Sequence, residues 1–391
     1  MGFLGYPRPD GSVGVRNHVA VLSSVSYANG VVEKVARAVP GTKGLTHTEG
    51  CGRGAEDQEL VTRTLVGLGT NPNVAAVLVV GLGSEAVGAR ELAARIALSG
   101  KPVEVVVVQE EGGSRGATEK ATAIARKLVL EASRISRQEF GWGKLTLGGE
   151  CGGSDALSGI TANPAIGECA DWLVGQGGAV VLTEITEMIG TEKILARRAA
   201  TEEVARKLGD VIGAQMQLAA SVLGPLASGA TISPGNVKGG ITSIQEKSLG
   251  CIIKGGTTPI QDVVPFAGKV TARGLHIMDG PGSDIFSVTG VAATGAQIIV
   301  FSTGRGSPAG FPVVPVVKVS TNTEIWERLN DDIDLDAGRI IEGTQVAAVG
   351  RELVDLVARV AGGEPTKAEA HSYDLLSIYA TGPSLARTTP T

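Results

Sequence analysis

Three stretches constrain the fold of this chain more than any other feature. "HVAVLSSV" (18–25), "NVAAVLVVGLG" (73–83) and "KPVEVVVVQEEGG" (101–113) are apolar, rich in β-branched residues and free of polar alternation. A strand with one wet face alternates apolar and polar residues. A run without that alternation suits a strand buried on both faces, as in a parallel sheet covered by helices. "ANGVVEKVARAVP", "DQELVTRTLVGLG" and "GSEAVGARELAARIALSG" lie between these runs with helical spacing, and "GATEKATAIARKLVLEASRISRQEF" (116–140) reads as a longer helix that closes the unit. Strand alternating with helix predicts an α/β protein: a parallel-sheet, Rossmann-like N-terminal domain over 1–142, then a larger glycine-rich α/β domain over 143–391.

The second unit opens near "KLTLGGE". A helix is expected over 164–176, a strand over 177–190, helical patterns through 191–222 and a late helix over 344–363. "GCIIKGG", "GLHIMDGPGSD", "GAQIIVFSTGRG" and "PVVPVVKVS" are candidate strands, and the tail from 380 to 391 is expected to fray. The net charge is -5, no basic patch stands out and aromatics are 3%, which excludes nucleic acid as the expected partner. No apolar run reaches the roughly 18–20 residues that span a bilayer. The N-terminus lacks the apolar core of a signal peptide. Four scattered cysteines with no CxxC pair point to a reducing, cytoplasmic setting.

Chemistry concentrates where strands should end. "GGECGGSDALSGITANPAIG" (148–167) sets Glu150, Cys151, Ser154 and Asp155 on a backbone that can turn tightly or approach a ligand closely. Such a stretch is either a capped strand-to-helix turn or the floor of a pocket for a small polar substrate. "THTEGCGRGAED" (46–57) holds His47, Glu49, Cys51 and Arg53; His47 is a general base, a metal ligand with Cys51, or a loop histidine that only makes hydrogen bonds. Glu184 and Glu187 in "VLTEITEMIG" are a buried acid–base pair or caps of the next helix. Glycine-flanked turns offer Asn236, Lys238, Lys254 and Arg305 to an anion. Ligands of parallel sheets gather at the carboxyl ends of strands, so the loop 46–54 and the turn 148–156 are expected to face one cleft. No P-loop and no dinucleotide fingerprint is present. The residues alone support an α/β enzyme acting on a small anionic metabolite.

"ECGGSDALSGITANP", "TEITEMIGTE", "SPGNVKGGITSIQEKSLGC", "PGSD" and "FSTGRGSP" follow one another in an order that resembles the altronate and galactarate dehydratase family, and "GYPRPDGSVGVRN" resembles the opening of that family's large catalytic region. The resemblance runs over about residues 5–345. It implies a lyase that removes water from a sugar acid, with a base for the α-proton, an acid for the leaving hydroxyl and a divalent metal, often iron, on the carboxylate. On that reading the catalytic candidates are His47, Glu49, Glu150, Asp155 and Glu184. Ser154, Asn236, Lys238, Lys254 and Arg305 bind the substrate, and His47, Cys51 and Cys151 hold the metal.

Two departures from the family pattern stand out. The small SAF-type domain that family members carry ahead of this region is not in the chain, so a separate SAF subunit is expected as partner, sharing the metal site within an oligomer. Ser84, and Ser26 with Tyr27, stand where sugar-acid dehydratases tend to carry cysteines. The split resembles sulfolactate sulfo-lyase, in which sulfite leaves instead of water. A non-catalytic scaffold that binds a sugar acid is the alternative of another class.

Overall fold

A computed structural model describes residues 2–224 and 232–382; the end of the tail expected to fray, 383–391, lies outside the described residues. The strands are β1 (Gly2–Pro7), β2 (Val13–Gly14), β3 (His18–Ser23), β4 (Thr42–Leu45), β5 (Val74–Gly81), β6 (Val103–Val107) and β7 (Gln138–Gly141), then β8 (Thr146–Cys151), β9 (Ala179–Leu182), β10 (Ile260–Val264), β11 (Gly274–Met278), β12 (Ile298–Thr303), β13 (Val316–Ser320) and β14 (Leu335–Asp336). They form a mixed α/β protein with two wholly parallel sheets. One has the order β4-β3-β5-β6 and the other β10-β11-β9-β8-β12-β13-β14. A small antiparallel sheet, β2-β1-β7, is the third, and its Phe3 and Val13 pack in the core of the larger parallel sheet.

The apolar runs behave as their composition requires. All eight residues of β5 are buried. β4 and β10 were not expected: "TKGL" is too short and too polar to stand out, and "IQDVV" carries two polar residues. The stretch "GCIIKGG" overturns its expectation of a strand. It ends the helix Ile244–Ile252 and continues as a single 3-10 turn, Ile253–Gly255. The physical reason lies upstream, where the Ser243 hydroxyl accepts from the Glu246 N–H and the Glu246 carboxylate accepts from the Thr242 N–H and hydroxyl. That reciprocal cap nucleates a helix which apolar Ile252 and Ile253 merely extend. The strand expected over 177–190 is only Ala179–Leu182, followed by a 3-10 turn at Ile185–Met188.

The two parallel sheets share a core. Leu22, Val77 and Val79 of the smaller sheet cluster with Val181, Met278, Ile299 and Phe301 of the larger. Helices Ala55–Thr70 and Asp284–Ala293 cross between them at Gly67, where a Cβ would sit 2.4 Å from the Ala293 carbonyl oxygen. Buried Asn71 and Asn73 staple the junction, donating to the carbonyls of Ala292, Ala296, Gln297 and Val313 at 2.8–2.9 Å. The carboxyl end of β8 is thereby placed in the middle of the larger sheet, flanked by β9 and β12.

Candidate active site

At that strand end the chain assembles a buried charged cluster. Glu184 follows β9 in the left-handed conformation (φ 69°), which swings its carboxylate back over the end of β8. There it accepts from the Cys151 N–H at 3.2 Å and pairs with Lys254 Nζ at 2.7 Å, both side chains being at most 1% exposed. Glu187, one 3-10 turn further on, takes the Cys151 thiol at 3.0 Å and Lys247 Nζ at 2.5 Å. Lys247 also donates to Asn236 Oδ1, and Asn236 Nδ2 to the Ser154 carbonyl, which ties the helix 244–252 to the turn after β8. Gly159 and Gly250 let that helix lie close: a Cβ on Gly159 would stand 2.9 Å from the Gly250 Cα.

One ligand atom from each of Cys151, Glu184, Glu187 and Cys251 lies within 4.8 Å of the other three, and all four residues are buried. Two sulfurs and two carboxylate oxygens so spaced match the donors and reach of a four-coordinate divalent metal. The chain therefore has a buried Cys–Glu cluster that could hold a metal. The electrostatics are those of crowded anions. Burial and Glu187 push Glu184 up to about 7 despite Lys254. The Cys251 thiol, burial and both glutamates push Cys151 well above the usual thiol range. Burial alone would lower Lys247 and Lys254, but the surrounding anions hold both above the usual lysine range.

Cys151, Glu187, Lys247 and Cys251 line a cavity of about 250 Å³, whose walls also include Ser154, Asp155, Ser158, Asn163 and Glu246. Asp155 is fixed by four donors: the Leu157 N–H, the hydroxyls of Ser158 and Thr321, and Asn322 Nδ2, at 2.8–3.1 Å. Glu246 is held at its helix cap.

The other expected residues are placed differently. His47 is buried with both ring nitrogens in use, Nε2 donating to the Ser23 carbonyl at 2.7 Å and Nδ1 accepting from the Glu49 N–H at 3.1 Å. Glu49 takes two hydrogen bonds from Arg53. Cys51 is exposed. None of the three lines the cavity or belongs to the Cys–Glu cluster, so the geometry offered for a metal falls on Cys151 alone of the three expected ligands. Lys254 is sealed against Glu184 and does not line the cavity. Lys238 and Arg305 are exposed on either side of the turn 153–155: a Cβ on Gly153 would meet Arg305 Cβ at 3.0 Å, and one on Gly239 would meet Asp155 Cα at 3.0 Å. Glu150 is fully buried on the other face of the sheet.

Cys251 was not among the expected ligands. The signal was present: on a helix, Lys247, Cys251 and Lys254 recur at i, i+4 and i+7 and share one face. Reading "GCIIKGG" as a strand hid it.

Comparisons with known proteins identify the family. Residues 142–384 match the family model described as D-galactarate/Altronate dehydratase, C-terminal, and residues 5–133 match D-galactarate dehydratase/Altronate hydrolase, second domain. Altronate dehydratase of Bacillus subtilis (strain 168) is 36% identical over 395 residues, covering 98% of this chain and 78% of that one. Galactarate dehydratase (L-threo-forming) of Escherichia coli (strain K12) is 36% identical over 93% of this chain and 73% of its own. The (2R)-sulfolactate sulfo-lyase subunit beta of Chromohalobacter salexigens is 35% identical, with 94% of each chain covered. By class the protein is a lyase. It belongs to the galactarate/altronate dehydratase family.

Proposed function

We propose that this chain carries the catalytic site of a β-eliminating lyase for a small hydroxy acid of the altronate or galactarate type, and that a small SAF-type subunit completes it. The observation that carries the reading is a small cavity that Cys151, Glu187 and Cys251 of the Cys–Glu cluster line together with Lys247 and Asp155. Cys151, Glu184, Glu187 and Cys251 would hold a divalent metal, for which iron (Fe²⁺) is our assignment. When bound, such a metal supplies the positive charge that an enolate needs.

The chain's own groups do the rest. Lys247, fixed by Glu187 and Asn236, meets the substrate carboxylate in the cavity. Lys238 and Arg305, next to the turn 153–155, take the far end of the substrate, which is a second carboxylate in a galactarate-type acid. Asp155 is a cavity carboxylate outside the metal set, and its four donors fix it in one orientation. We assign it the α-proton. Turnover of altronate, galactarate and 3-sulfolactate, with Fe²⁺ and with or without the small subunit, tests the reading. Appearance of a 2-keto-3-deoxy acid supports it, and no turnover of any hydroxy acid by the reconstituted enzyme overturns it.

One observation favours a second reading, elimination of sulfite from sulfolactate. The (2R)-sulfolactate sulfo-lyase subunit beta is 35% identical to the chain, as similar as the altronate and galactarate dehydratases at 36%. Sulfite release in the same assay decides between the two bonds.

A further inference from the structure

Two thiols can share one metal ion only if their sulfurs keep a fixed separation. In the Cys–Glu cluster they come from distant segments: Cys151 ends β8, and Cys251 sits in the last turn of the helix Ile244–Ile252. Lys247 and Lys254 tie that helix and the turn after it to Glu187 and Glu184, but through long side chains that can follow a shift of the backbone. The backbone itself needs a shorter tie.

Asn163 supplies one. It lies in the first turn of the helix Ala162–Gly175 and is 2% exposed. Its Oδ1 accepts from the Ser302 hydroxyl at 2.6 Å, and its Nδ2 donates to the Gly250 carbonyl at 2.8 Å. Ser302 is the β12 residue paired with Cys151 in the parallel ladder. The Gly250 carbonyl belongs to the planar peptide unit that leads into Cys251, so holding it fixes where that residue starts. One amide therefore spans from the position beside the first thiol to the backbone of the second. A carbonyl in the last turn of a helix has no partner within that helix, which leaves Gly250 open to an outside donor. Glycines bring the segments close enough for it. A Cβ on Gly159 would stand 2.9 Å from the Gly250 Cα, and one on Gly167, one turn beyond Asn163, would stand 2.5 Å from the Ile253 carbonyl oxygen. Asn163 also lines the cavity, yet both ends of its amide are engaged by the protein.

We infer that Asn163 is a positioning residue: it sets the separation of Cys151 and Cys251 and thereby the metal affinity of the cluster. The inference rests on the metal reading of that cluster and is independent of which hydroxy acid the enzyme cleaves. It assigns Asn163 to the protein's own framework rather than to the substrate, although the residue stands in the cavity wall.

The test uses the full chain stripped of metals and titrated with Co²⁺, whose thiolate charge-transfer absorption grows with the number of thiolate ligands. The band of the wild type should fall by about half in Cys251→Ser, from two thiolates to one. Asn163→Leu, which is close in volume, should weaken Co²⁺ binding by about tenfold and reduce the band towards that of Cys251→Ser. Gly159→Ala leaves Asn163 in place but pushes on the Gly250 Cα, and it should lower the band in the same way. A full two-thiolate band in Asn163→Leu, with only KM raised, overturns the inference: Asn163 is then a substrate contact, and the metal reading still stands. Where melting curves show that Asn163→Leu does not fold, Gly159→Ala decides, and an unchanged band in it overturns the inference. No thiolate band in the wild type overturns the metal reading, and the inference falls with it.

Discussion

The carboxyl ends of the two parallel sheets both gather ionisable residues, with opposite outcomes. At the smaller sheet, His47, Glu49 and Arg53 satisfy one another and the backbone. The imidazole uses both nitrogens, the carboxylate takes the guanidinium, and Arg53 also binds the Gly382 carbonyl. At the larger sheet, thiols and carboxylates crowd together, two lysines are drawn in and Glu150 is left without a partner. A polar cluster whose members satisfy each other has finished its work on folding, as a latch. One that stays charged, buried and underpaired still has interactions to give to a ligand. Density of reactive residue types at a strand end does not separate the two cases; satisfaction does.

The largest expected effect sharpens this contrast. Cys151→Ser and Cys251→Ser should each cut turnover by more than about a hundredfold and lower bound transition metal, because a thiolate is a far better ligand for it than a hydroxyl. His47→Gln should leave metal content unchanged and cost stability of about 1–3 kcal/mol through unmet buried partners. Metal analysis and thermal melts on the purified variants check both, and metal loss in His47→Gln would break the comparison.

Next in size is the buried pair. Lys254→Met leaves Glu184 without its cation in a sealed site, a loss of about 3–5 kcal/mol. The partly exposed pair at the other sheet is weaker, so Arg53→Ala should cost only ~1 kcal/mol. Denaturant titrations measure the gap.

Arg305→Ala comes third. If Arg305 grips a substrate acid, a charge-assisted bond of about 1.5–3 kcal/mol disappears and kcat/KM falls ten- to a hundredfold with Tm unchanged. Lowered Tm with unchanged kcat/KM would return Arg305 to a loop-tying role.

The smallest effect separates the sheets by pH in the metal-free protein. Glu184, raised to about 7 by burial and Glu187, binds its proton more tightly folded than unfolded. Its contribution is complete below its unfolded value near 4.5 and is lost as pH rises through about 7. Asp57 behaves oppositely. Burial would raise it, but the Thr381 and Gly382 N–H groups hold it below its usual range, so its stabilisation is lost as pH falls. Melting points from about pH 2 to 8 should therefore change in slope in Glu184→Gln between the unfolded value near 4.5 and about 7, and in Asp57→Asn below about 3.8.

The sequence by itself determined the parallel α/β class, because an unbroken apolar run can be stable only with both faces covered. It also determined that Cys151, Asp155 and Glu184 stand at strand ends, because glycine-rich turns follow apolar runs, and it identified the family through long motifs in order. The helix over 244–252 was legible too, in Ser243 and Glu246 three residues apart, but the apolar "CII" outweighed the cap. Tertiary structure alone decided the rest. Whether His47 is a latch or a ligand depends on the Ser23 carbonyl, which comes from another strand. Glu184 reaches Cys151 only because β8 and β9 are neighbours and the backbone turns left-handed at Glu184. Cys251, a hundred residues from Cys151, joins it through a glycine-to-glycine approach. Local periodicity fixes which residues share a face of one element. Which faces then meet is set by strand order and register, which no single stretch of the chain encodes.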